Sequence, residues 1–159
     1  MKNRLVVDLL RMLLSGALVV LVLLQTVVLP WISGTMARDL PGEAHMRWPI
    51  LALAILGLGC VQAGVVCTLA LLGFTRRGEV FSLRAVRWVD GIIGAFLAAA
   101  LVCLATIVYQ TSTVAGPPLW MLLLLVGVVA GIGMAMLMVV MRTLLLQATV
   151  LRAEMDAVI

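Results

Sequence analysis

Three cysteines, a single histidine, two glutamines set in apolar surroundings and a crowd of methionines are the side chains in this chain with the means to bind a metal, exchange a thiol or hold a polar ligand. Cys60 and Cys67 are two helical turns apart and share a face. Cys103 lies in a separate apolar stretch. No C-x-x-C occurs, so quinone-coupled thiol chemistry has no support, and the odd cysteine count argues against a disulfide framework. The thiols are expected to act as small, polarizable packing groups. Met121, Met134, Met136, Met138 and Met141 crowd the last apolar stretch. Thioethers take soft metals such as Cu(I), but this spacing is irregular and His45 lies far from it. Flexible packing is the expectation, with no metal site and no cofactor.

Catalysis finds no better footing. Asp8 and Asp90 flank the apolar stretches and do not enter them. A proton relay or ion path in a membrane needs an ionisable group between the helices. Ser82 has no base, because His45 is expected on the opposite side of the membrane. Gly131-Ile-Gly133 lies inside a long apolar run and cannot form a dinucleotide-binding turn. With no paired carboxylates and no phosphate loop, no catalytic residue is assigned and an enzyme is not expected. That leaves Gln25 and Gln62. An amide in hydrocarbon is costly unless hydrogen-bonded, so both should face inward. Gln62, between Cys60 and Gly64, either lines a small polar pocket or forms an interhelical bond of roughly 0.6–2 kcal/mol; the bond is preferred.

The elements that must position these groups are four charge-free stretches, at about 12–33, 49–74, 91–109 and 119–141. Each is long enough to cross a ~30 Å hydrocarbon core at ~1.5 Å per residue. With 65% hydrophobic and 11% charged residues, the chain is neither an ordinary soluble domain nor a disordered one. The expected fold is all-α: an integral membrane four-helix bundle forming one domain over 1–159, with a tail at 142–159. Lys2 and Arg4 resemble the basic start of a signal peptide. Asp8 and Arg11 then interrupt the sequence, and the apolar run that follows is longer than such a peptide needs. A retained first helix is expected.

Lys2, Arg4, Arg11, Arg76, Arg77, Arg84, Arg87, Arg142 and Arg152 are nine of the eleven basic residues. All fall at the termini or in the second loop, and the positive-inside rule therefore places both termini and that loop in the cytoplasm. The net charge of +4 is thus a topology signal, and direct nucleic-acid binding is not expected. Trp31, Trp48 and Trp120 fall at the opposite, outer side and Trp88 at the inner side, as interfacial anchors.

Close packing, not hydrophobicity, joins helices in lipid. Gly127, Gly131 and Ala135 form a small-residue ridge in the fourth span, suited to packing within the bundle or to a homodimer. Gly91, Ala95 and Ala99, Gly94 and Ala98, and Gly59 and Ala63 form lesser ridges. In the second loop, Gly78 suits a turn and Ser82 caps a helix starting near Leu83. Leu83, Val86 and Val89 would face the membrane, and Arg84, Arg87 and Asp90 water or phosphates. Arg76, Arg77, Arg84 and Arg87, with Trp88, are candidate lipid or partner contacts. In the tail, Leu144, Ala148, Leu151, Met155 and Val158 recur at coiled-coil spacing. The fourth helix is therefore expected to run on into the cytoplasm, with Leu151, Met155 and Val158 as partner contacts.

Several of these segments carry a resemblance. Gly78-Glu-Val-Phe-Ser82 followed by Arg84-Ala-Val-Arg-Trp-Val-Asp90, the segments Leu29-Pro-Trp31 and Arg47-Trp-Pro49, and the tail Leu146-Gln-Ala-Thr149 with Glu154-Met-Asp-Ala-Val-Ile159 are similar to a bacterial membrane family. It is the family known as domain of unknown function 2975, and the likeness is to actinobacterial members. The resemblance implies four spans in the bacterial cytoplasmic membrane and no assigned activity. It also implies a small helix-turn-helix regulator encoded nearby, hence a soluble partner.

Three functions follow as expectations. The first is a sensor or regulatory protein whose outer loop (Arg38, Asp39, Glu43, His45, Arg47) meets a signal and whose second loop and tail meet a cytoplasmic regulator. The alternative is an accessory or assembly subunit of a larger membrane complex. A small transporter is the least supported, because exporters of this size use a carboxylate within the membrane.

Overall fold

The computed structural model describes residues 2–39, 47–77, 83–113 and 118–156, all of them helical. The helices are α1 (Lys2–Leu23), continued through a widened turn (Leu24–Val28) into α2 (Leu29–Asp39), then α3 (Arg47–Arg77), α4 (Leu83–Thr113) and α5 (Pro118–Asp156). Four lengths are apolar and long enough to cross a membrane: Leu5–Thr35, Arg47–Phe74, Val86–Thr113 and Pro118–Leu151. They run past the charge-free stretches because a helix's hydrogen-bond ladder does not stop at a charge, and long charged side chains reach out along the helix to water. The proposed turn at Gly78, the cap at Ser82, Glu43, His45 and Val158 lie outside the described residues.

Neighbours in sequence are neighbours in space. α1 packs on α3, α3 on α4, and α4 on α5. The register is antiparallel throughout. A Cβ placed on Gly64 would meet Ala95 at 3.7 Å, and one on Gly57 would meet Val102 at 3.6 Å. Along the next seam Gly127 faces Cys103 and Gly131 faces Ala100. α4 is the centre of the molecule: Val86, Val89, Ile92, Ala100 and Thr106 are buried there, and Ala135 joins them from α5.

That burial corrects one expectation. Val86 and Val89, at 6% and 3% exposure, face protein and not lipid. The bundle continues past the end of the charge-free stretch, so the first turns of α4 already have a neighbour to cover them. Hydroxyls within the spans look after themselves. Thr68 donates to the Gly64 carbonyl at 2.8 Å and Thr106 to that of Val102 at 2.7 Å. Such back-bonding is how Ser and Thr enter a hydrocarbon phase at little cost.

Candidate functional site

The first span carries the one irregularity in the described helices. Pro30 has no N–H, and its ring would strike the carbonyl of Thr26 four residues back in a regular α-helix. The preceding turn is widened: the Leu29 N–H donates to the Leu24 carbonyl, five residues back, while Leu23 and Leu29 keep helical dihedrals. The helix therefore passes its proline without ending there. Widened turns of this kind recur at functional sites.

Gln25 sits on that turn. Its Nε2 donates to the Ile55 carbonyl at 3.0 Å, and its Oε1 accepts from Gln62 Nε2 at 2.7 Å. Ile55 and Gln62 are two turns apart on α3, so one glutamine bridges a length of the neighbouring helix. A carbonyl has two lone pairs, which lets Ile55 accept beside its own helical bond. The half-buried apolar residues of α1 (Val7, Leu14, Leu18, Leu21) lead up to Gln25 along one face. The amide pair is uncharged and moves no proton; it holds two helices in one register.

Two further polar ties lie at the ends. Arg47 Nε donates to Ser33 Oγ at 3.0 Å, joining the start of α3 to α2. At the opposite end Arg142 on α5 pairs with Asp90 on α4: Nε to Oδ1 is 2.5 Å and Nη2 to Oδ2 is 3.4 Å. Both side chains are well exposed, at 39% and 46%, so screening keeps such a pair weak. Asp90→Asn is therefore expected to lower stability by less than about 1 kcal/mol, and the loss should shrink further in high salt. Chemical unfolding at two ionic strengths checks this.

Gly131 and Gly127, with Ala135, form the close seam between α5 and α4. A Cβ on Gly131 would come within 3.0 Å of Ala100 Cβ and 3.2 Å of the Phe96 carbonyl; one on Gly127 would come within 3.2 Å of Cys103 Sγ. Ala135 is 3% exposed. Of the other glycine ridges, Gly91 abuts Cys67, whereas Gly59 and Gly94 meet nothing within 4 Å.

On α4, Arg87 and Trp88 are exposed beside Asp90. Arg76, Arg77, Arg84 and Met155 lie on described helix. The tail's half-buried face is Arg142, Leu145, Leu146, Ala148 and Thr149. Leu144 and Leu151 of the coiled-coil stripe stand open at 55% and 62%. Among the described residues no group of His, Cys, Asp and Glu is placed to hold a metal ion. The sequence signalled both glutamines but neither the widened turn nor the Asp90–Arg142 pair.

A model of the family described as "Protein of unknown function (DUF2975)" matches residues 31–159. No curated protein and no solved structure matches the chain.

Proposed function

The chain belongs to the DUF2975 family and is built as a multi-pass membrane protein, and on that premise we propose that it is a non-enzymatic regulatory protein of the bacterial cytoplasmic membrane. Both termini face the cytoplasm, and a soluble regulator docks on the tail. One observation carries the reading. α5 has 39 residues without a break. At ~1.5 Å per residue it is about 58 Å long, roughly twice the hydrocarbon core. Past the charge-free stretch that ends at Met141 it leaves Leu144 and Leu151 exposed while the adjoining face is half-buried. An exposed apolar stripe on a helix held by its own bundle is the form that helix-to-helix docking takes.

The test is isolation of the full chain from native membranes in mild detergent, through an N-terminal tag, followed by mass analysis. A small helix-turn-helix protein is expected to co-purify and to be lost with Leu151→Glu. Recovery of the chain alone, or a partner indifferent to Leu151→Glu, would overturn the reading.

A second reading, an accessory subunit of a larger membrane assembly, draws on the open order of the helices. α1 packs chiefly on α3, and α5 chiefly on α4, so both outer helices offer bare apolar faces to other spans. Recovery of a large assembly of other membrane chains would favour it.

A further inference from the structure

Arg47 opens α3 and reaches across to the end of the first span. Its Nε is engaged by Ser33, and among the described residues Ser33 is its one hydrogen-bond partner. Nη2 lies 3.6 Å from where a Cβ on Gly34 would be, so Gly34 is the guanidinium's immediate neighbour and a large side chain there would crowd it. The guanidinium carbon stands 5.6 Å from the centroid of the Trp48 ring, within the ~6 Å reach of cation–π attraction. The side chain is half-buried, yet Trp48 and Trp31, at the same end of the bundle, are exposed at 71% and 70%.

This places a cation, already oriented by a hydroxyl and an indole, at the mouth of an apolar span. Exposed tryptophans sit at headgroup depth. A guanidinium is a planar fork of five N–H donors that matches phosphate oxygens in pairs. Here Arg47 itself opens α3, and the positive end of the helix dipole at that first turn adds to the attraction for an anion. Pro49 in that turn has no N–H to leave unsatisfied.

The geometry points to a phosphate-binding site in which the Nη edge of Arg47 and the first turn of α3 hold the phosphate of a membrane phospholipid. Its acyl chains lie against Trp31 and Trp48. The two exposed indoles favour a lipid over a free ion, because a free ion gains nothing from them. The site stands apart from the tail and is independent of its partner.

Native mass spectrometry of the full chain in mild detergent, titrated with dioleoyl phosphatidylglycerol, tests it. Arg47→Gln is expected to weaken the lipid adduct by about tenfold, as loss of a charge-assisted pair implies. Arg47→Lys, which keeps the charge without the fork, should fall between. Arg11→Gln, an exposed site toward the opposite end of the first span, should bind as wild type. Dioleoylglycerol, which lacks phosphate, should not compete. Wild-type binding by Arg47→Gln, or displacement by dioleoylglycerol, would overturn the site. Inorganic phosphate binding as tightly as the lipid would overturn the lipid as occupant. Should Arg47→Gln fail to fold, Gly34→Leu fills the space beside Nη2 and leaves the charge in place. It must weaken the adduct too, and unchanged binding would sink the proposal.

Discussion

Replacing Gly131 by leucine is expected to cost about 2–3 kcal/mol of stability and to push α5 away from α4, the penalty of overfilling a close-packed seam. The expectation rests on what the new side chain meets. Even a methyl group would arrive 3.0 Å from Ala100 Cβ and 3.2 Å from the Phe96 carbonyl. Neither can turn aside: one is fixed to its Cα and the other belongs to the helical backbone. Gly127→Ala should be milder, because its nearest neighbour is the Cys103 thiol at 3.2 Å, which a rotamer change can move. Gly133, two residues from Gly131, has nothing within 4 Å. Gly133→Ala should be neutral or stabilising by about 0.5–1 kcal/mol, from helix propensity alone. Unfolding of the three variants in detergent, followed by helical circular dichroism, separates them. Equal effects at Gly131 and Gly133 would show that the seam lies elsewhere. This seam is used inside the chain, so a second copy meeting α5 would have to use another face.

The four spans were legible because a run of some twenty residues without a charge suits hydrocarbon and little else. Their ends were not. Asp90 and Arg142 bound the charge-free stretches in sequence but lie within continuous helix. The stretch at 12–33 ran through Pro30, but the widened turn that admits the proline covers five residues, too few to leave a periodicity. The glutamines could be read as inward-facing from the cost of a bare amide in lipid, yet the sequence says nothing of register between helices, so their pairing could not be foreseen. Small residues marked several ridges without saying which were used. Gly131 and Gly91 are pressed against neighbours, whereas Gly59 and Gly94 are open. The tail's helix was legible from its spacing, but of the stripe that the spacing picked out Ala148 is half-buried, beside Leu145, Leu146 and Thr149, whereas Leu144 and Leu151 are exposed.

Gln62→Leu is expected to cost about 1–2 kcal/mol, more than the change in side-chain volume accounts for, because it strands the Gln25 Oε1 in an apolar setting. The partner Gln25→Leu should cost a similar amount, since it removes the bond to the Ile55 carbonyl as well. The double variant should cost less than the two together, because no amide is then left without its mate. A coupling of about 0.6–1.7 kcal/mol in a double-mutant cycle would match direct interhelical bonds of this kind. Additive costs would mean that the amides do not act on each other, leaving the Gln25 bond to the Ile55 carbonyl as the polar tie at this level of the first span. The distinction bears on function, because α1 rests chiefly on one neighbour, α3. Apolar side chains in lipid gain little from one register over another, whereas a glutamine reaching both Ile55 and Gln62 accepts only one. If the first span passes the signal of the regulatory reading on to the tail, the double variant should remain folded and yet lose control over the partner at Leu151. A fold that survives while the relay fails would separate the role of this amide pair from that of the packing around it.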